Sequence, residues 1–116
     1  MNDVVPVSEL RAAVLAAIDA HPDQVNPLKD DEACIYTSPF NPDHHCIVGQ
    51  VAADFGWEDP GPSSDYVHTE APKHGWPLDQ SGIEFLTKVQ ALADEASWNS
   101  RPWSSFREDV EEVALD

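Results

Sequence analysis

The chain has 116 residues, a length that suits one domain, and its 22 acidic against six basic side chains leave a formal net charge of −16. Such a surface presents carboxylates where phosphate recognition needs Lys and Arg, which excludes direct nucleic-acid binding and attraction to anionic membranes. Hydrophobic residues make up 41% of the chain, with four Trp and four Phe as large anchors, which excludes wholesale disorder.

Residues 1–7 lack the charged-then-apolar pattern of a secretory signal, and no apolar run nears the ~20 residues that span a bilayer. Two cysteines are too few for a disulfide framework in a chain of this size. The expected compartment is the cytoplasm.

Residues 8–20 read as an amphipathic helix. Ser8 is placed to cap it, and Leu10, Val14, Ala17 and Ile18 fall at i, i+4, i+7 and i+8. His21 and Pro22 end it, because a residue before proline is pushed out of the helical region. Residues 23–32 are a polar connection. The β-branched and aromatic run 33–37 predicts a short strand, and Asn41-Pro42-Asp43 a turn. A second helix is expected from Asp43 or His44. Ile47, Val48, Val51, Ala52 and Phe55 share one face, with Gly56 just past the end. Gly49 inside this helix costs up to ~1 kcal/mol relative to alanine and so signals a close contact.

Residues 57–77 carry four prolines and two glycines and predict a long loop, with 66–68 as an edge strand at most. Ser81 with Glu84 forms a capping-box pattern ahead of the stripe Ile83, Leu86, Val89, Ala93 and Ala96. For the last helix, Ser105 with Glu108 offers one start, but the stripe Trp103, Phe106, Val110, Val113 and Ala114 favours a start near Pro102. The fold class expected is α+β, mainly helical: about four helices around one core with a short two-stranded β element, all in one domain over residues 1–116.

Cys34, His44, His45 and Cys46 are residue types that ligate zinc. Neither cysteine has a partner at knuckle spacing, and adjacent histidines rarely point at one ion, so no metal or other cofactor is assigned. A thiol enzyme would use Cys46, with its pKa lowered at a helix start and His45 beside it. Neighbours on a helix do not face each other, however, and no third orienting group follows. A Cys34–Cys46 disulfide stays open if strand and helix start lie side by side.

Two surfaces remain as partner-binding candidates. Trp57 and Trp76 flank the long loop; they are core residues first and interface anchors second. Glu108, Asp109, Glu111 and Glu112 crowd the last helix, where like charges at i, i+4 repel and acids near the C-terminus oppose the helix dipole. A solvated face is the plain reading. A docking surface for a basic partner is the sharper one.

Cys34-Ile35-Tyr36, then Cys46-Ile47-Val48-Gly49 opening a helix, then the 90–94 helix followed by Trp103, resemble a group of small uncharacterised actinobacterial and actinobacteriophage proteins. The resemblance spans residues 21–114. It implies a phage or prophage accessory setting in the host cytoplasm, where such proteins act by binding a host protein, and it implies no catalytic residues. The leading expectation is therefore a non-enzymatic interaction protein, with mimicry of nucleic-acid charge as a special case. A metal- or thiol-dependent protein centred on Cys34 and Cys46 is the alternative.

Overall fold

Apolar residues at helical spacing set the architecture, which is mainly helical. The computed structural model describes residues 4–24, 28–29, 33–34, 36, 45–58, 60, 67–99 and 101–113. Among them, five α-helices run in the order α1 (Val7–Ala20), α2 (Ile47–Phe55), α3 (Val67–Lys73), α4 (Gln80–Trp98) and α5 (Arg107–Glu112). A 3₁₀ turn (Trp103–Phe106) leads into α5.

Leu10, Val14, Ala17 and Ile18 of α1 are all buried, as their spacing requires. Ser8 does not cap this helix. The Pro6 carbonyl accepts from the amides of Glu9 and Leu10 at 3.0 Å each, so α1 starts at Val7. At the other end the His21 amide closes the last turn on Ala17 and Ile18 before Pro22.

Of the expected strand over 33–37, Ala33 and Cys34 make a two-residue antiparallel contact, Leu28 opposite Cys34 and Lys29 opposite Ala33, while residues 35 and 37 lie outside the described residues. No β layer enters the core among the described residues. Two helix starts also differ from expectation. Cys46 is the N-cap of α2, its Sγ accepting from the Gly49 amide at 3.3 Å, so the helix begins at Ile47. Asp79 Oδ1 caps α4 by accepting from the Gly82 amide at 2.9 Å, and Ser81 lies inside the helix. Ser105 donates to the Pro102 carbonyl at 2.6 Å, so the Ser105–Glu108 capping box does not form, and the helical run starts after Pro102, the start that the stripe favours.

The largest correction lies in the proline-rich stretch. Val67 and His68, expected on an edge strand, open α3; Tyr66 and the rest of 61–66 lie outside the described residues. Val67, Glu70 and Ala71 are its buried positions, and α3 packs on α4 with them. Pro72 sits near the end of this short helix, and Gly75 at φ 67° turns the chain away. Phe55 also departs from expectation, since it is 38% exposed rather than packed in the core.

The core joins α1, α2, α4 and the 3₁₀ turn through Leu10, Val48, Val51, Phe85, Leu86 and Trp103, all fully or nearly fully buried. Burying a side chain of the Val, Leu or Phe kind contributes about 1.5–3 kcal/mol relative to leaving it exposed. Tyr36 is also at zero exposure. Its carbonyl accepts from the Cys46 amide at 3.2 Å, and a methyl group placed on Gly49 would stand 2.2 Å from that same oxygen. The glycine inside α2 is therefore there for backbone approach, as its cost in a helix suggested.

Helix propensity and packing make opposite predictions at this position. Propensity alone has Gly49→Ala stabilise the protein by up to ~1 kcal/mol. The clash with the Tyr36 carbonyl predicts destabilisation by roughly 1–3 kcal/mol, because backbone cannot rotate out of the way. Urea unfolding of the variant decides between them, and a stabilised protein would disprove the contact.

Candidate functional site

α4 is long enough to present two faces. Phe85, Leu86, Val89, Ala93 and Ala96 turn inward, while Lys88, Ala91, Leu92 and Glu95 lie on a flank facing α5. α5 packs against α1 and the 3₁₀ turn and stands off α4. Its Val110 enters the core; Asp109, Glu112 and Val113 border the gap that remains. The gap is a groove of about 410 Å³ between α4 and α5. It continues into a recess of about 160 Å³ formed with Ala96, Arg101, Ser105 and Phe106. Leu92, Glu95 and Asp109 line both spaces and so mark their junction.

Two ties fix the α5 wall to α1. Arg11 Nη2 donates to the Val113 carbonyl, with its guanidinium carbon 5.4 Å from the Phe85 ring centre. Arg107 grips Asp19 through Nε at 2.8 Å and Nη2 at 3.1 Å, and also pairs with Glu111. The hydrogen bonds from Arg107 hold the Asp19 carboxyl below the ordinary carboxylate value.

The four acids singled out from sequence are all exposed, but they do not act as one face. Asp109 and Glu112 line the groove. Glu111 is engaged by Arg107 on the side toward α1, and Glu108 is not part of the groove lining. Sequence reasoning missed the opposite wall. Ala91 and Glu95 stand at i and i+4 outside the core stripe of α4, and both are exposed. That phase is readable from sequence; the gap beside it is not.

Trp57 and Trp76 belong to an aromatic stack instead. Trp76 is 5% exposed and donates from Nε1 to the Glu58 carbonyl at 2.9 Å. Trp57 is half-buried, its ring 5.3 Å from that of Trp76 and stacked at 4.8 Å on Phe55. Of this stack, Phe55 and part of Trp57 reach the surface.

A second polar cluster adjoins the stack. His74 Nε2 is 2.8 Å from a carboxylate oxygen of Glu70, which is 1% exposed, and Nδ1 is 3.0 Å from Glu58. Both ring nitrogens thus face acceptors, an arrangement fully satisfied only by imidazolium, which donates from both. The bond to Glu58, followed by that to Glu70, holds the His74 pKa above its ordinary value against the effect of burial.

Of the zinc-type residues, His44 and the Cys34 side chain lie outside the described residues. Cys46 is a buried free thiol that caps α2, and His45 Nδ1 is 3.3 Å from the Tyr36 carbonyl oxygen. Among the described residues no three His, Cys, Asp or Glu side chains are grouped to hold a metal ion, and no helix is long and apolar enough to cross a membrane. No family model, curated protein or solved structure matches the chain.

The His74 clamp gives stability a defined pH dependence. A folded pKa raised above the unfolded value of 6.5 means that the clamp's contribution is complete below pH 6.5. It is lost as pH rises through the folded value. Wild-type melting temperature should therefore decline over that interval more steeply than that of His74→Gln, which cannot titrate. Parallel curves for the two proteins would show that the clamp carries no charge-dependent stability.

Proposed function

We propose that this is a small acidic accessory protein without enzymatic activity, phage or prophage encoded, that works in the host cytoplasm by binding a host protein with a basic surface. The observation that carries the reading is the placement of Asp109 and Glu112 on the rim of a groove whose floor includes Leu92 and Val113. A partner seated there gains apolar burial and charge pairing together. That combination separates a docking site from a merely solvated acidic helix.

The net charge of −16 supports the same reading, because it repels nucleic acid and steers basic surfaces inward. Mimicry of nucleic-acid charge is a special case in which the host partner is itself a nucleic-acid-binding protein. Among the described residues, His74 and Cys46 are committed elsewhere. Both nitrogens of His74 face carboxylates, and Cys46 Sγ accepts a backbone hydrogen bond inside the core.

The test is capture from an actinobacterial lysate, identification of the retained protein, and titration of that protein in purified form. The variant Glu95→Gln/Asp109→Asn/Glu112→Gln should keep the wild-type fold yet weaken binding at least about tenfold, the size of a genuine interface contribution. Added salt should weaken the wild-type complex in the same direction. Glu108→Gln, away from the groove, should change little. A triple variant that binds its partner as tightly as wild type would contradict this use of the groove.

A further inference from the structure

The layout of the groove specifies its occupant, and the inference rests on the docking reading given above. Along α4 the lining runs from Lys88 to Ala96, about 12 Å at 1.5 Å per residue or a little over two helical turns, and Arg101, past the end of α4, extends it. α5 runs the other way along the opposite wall: Val113 lies in the part that holds Lys88, and Phe106 in the part that holds Arg101. The two bases are thus at the ends. Between them, Glu95 and Asp109 meet at the junction, and neither makes an ion pair among the described residues.

The walls are helical: α4 and α5 bond their backbone groups within themselves, and in the 3₁₀ turn the Trp103 and Ser104 amides donate to the Gln24 and Pro22 carbonyls. An extended peptide would find no free strand edge here for main-chain pairing. A helix needs none, because its backbone is already satisfied and it offers side chains alone. A groove between two antiparallel walls, apolar below and acidic at its centre, calls for an aliphatic stripe flanked by basic residues. We propose that the groove between α4 and α5 binds an amphipathic helix of the partner protein, two to three turns of it in contact, which seats aliphatic side chains on Leu92 and Val113 and places an Arg or Lys between Glu95 and Asp109.

Two synthetic 14-residue peptides of identical composition test this on the full chain. One carries Leu at i, i+3, i+4 and i+7 with Arg on both flanks; the other is its scrambled isomer with no apolar stripe. Calorimetric titration should show the striped peptide binding at least about tenfold more tightly, since charge is equal and only the stripe differs. Its amide shift changes should concentrate on residues 88–101 and 105–113. Ala91→Trp, which fills the groove from an exposed position without altering charge, should weaken the striped peptide by about the same factor while leaving the melting temperature near wild type. Equal affinity for the two isomers, shift changes spread over the whole acidic surface, or no binding of the striped peptide would overturn the proposal. If the striped peptide fails while capture of the host protein still depends on Glu95, Asp109 and Glu112, the helical occupant falls and the docking reading stands. If both fail, both readings fall.

Discussion

The carbonyl of Tyr36 accepts from the Cys46 amide at 3.2 Å, and its phenol oxygen accepts from Gln90 Nε2 at 2.9 Å. Gln90 Oε1 in turn accepts from the Val67 amide at 3.3 Å. One fully buried residue outside any helix therefore ties the start of α2, the middle of α4 and the first residue of α3 together. The Tyr36 ring also meets Trp76 edge-on at 6.1 Å, which couples it to the aromatic stack behind α3. Buried amide and phenol groups are costly when unpaired, so such a network rigidifies the fold only because its members are satisfied. Gly49 is part of the same constraint, since no side chain fits between α2 and the Tyr36 carbonyl.

Fixing the inner face of α4 also fixes its outer flank. With Gln90, Val89, Ala93 and Phe85 turned inward, Ala91, Leu92 and Glu95 have only the flank toward α5 to occupy. α5 is not drawn across to cover them, because its own ties run to α1 through Val113 and Arg11 and through Arg107 and Asp19. The groove is thus the space left between two sets of contacts that each satisfy α5 and α4 elsewhere. Two acids border it from α5 and one from α4, so apolar and charged side chains lie side by side along it.

Periodicity disclosed the parts of the fold governed by local physics. The stripes of α1, α2 and α4, apart from Phe55 and Ile83, and the run from Trp103 to Val110 are buried as their spacing demands, and Gly56 ends α2 in a left-handed conformation at φ 75°. Gly49 announced a close approach by its cost alone. α3 stayed hidden because one of its buried positions is Glu70, a charge made tolerable by His74, and because Pro72 reads as a breaker. Its helical state comes from packing on α4 and not from propensity. The caps misled for a related reason. Ser8 and Ser81 fit a cap pattern, but Pro6 and Asp79 lie where the chain actually turns. On the α4 side the helical phase of Ala91 and Glu95 is readable in the sequence but the groove is not, since a gap between helices is a property of how both are tied down. The acidic run in α5 was visible in sequence, yet only half of it faces that gap.

The central claim is that the Tyr36–Gln90 bond holds this arrangement together, and a double-mutant cycle in stability measures it most directly. Tyr36→Phe removes the phenol oxygen, Gln90→Met removes the amide at similar volume, and chemical unfolding of the two singles and the double gives their coupling. A bond that organises α2, α3 and α4 predicts a coupling of at least about 1 kcal/mol, within the range for contacting polar partners. Strict additivity of the two substitutions would contradict it, and would leave the core stripes alone to account for how α4 is oriented.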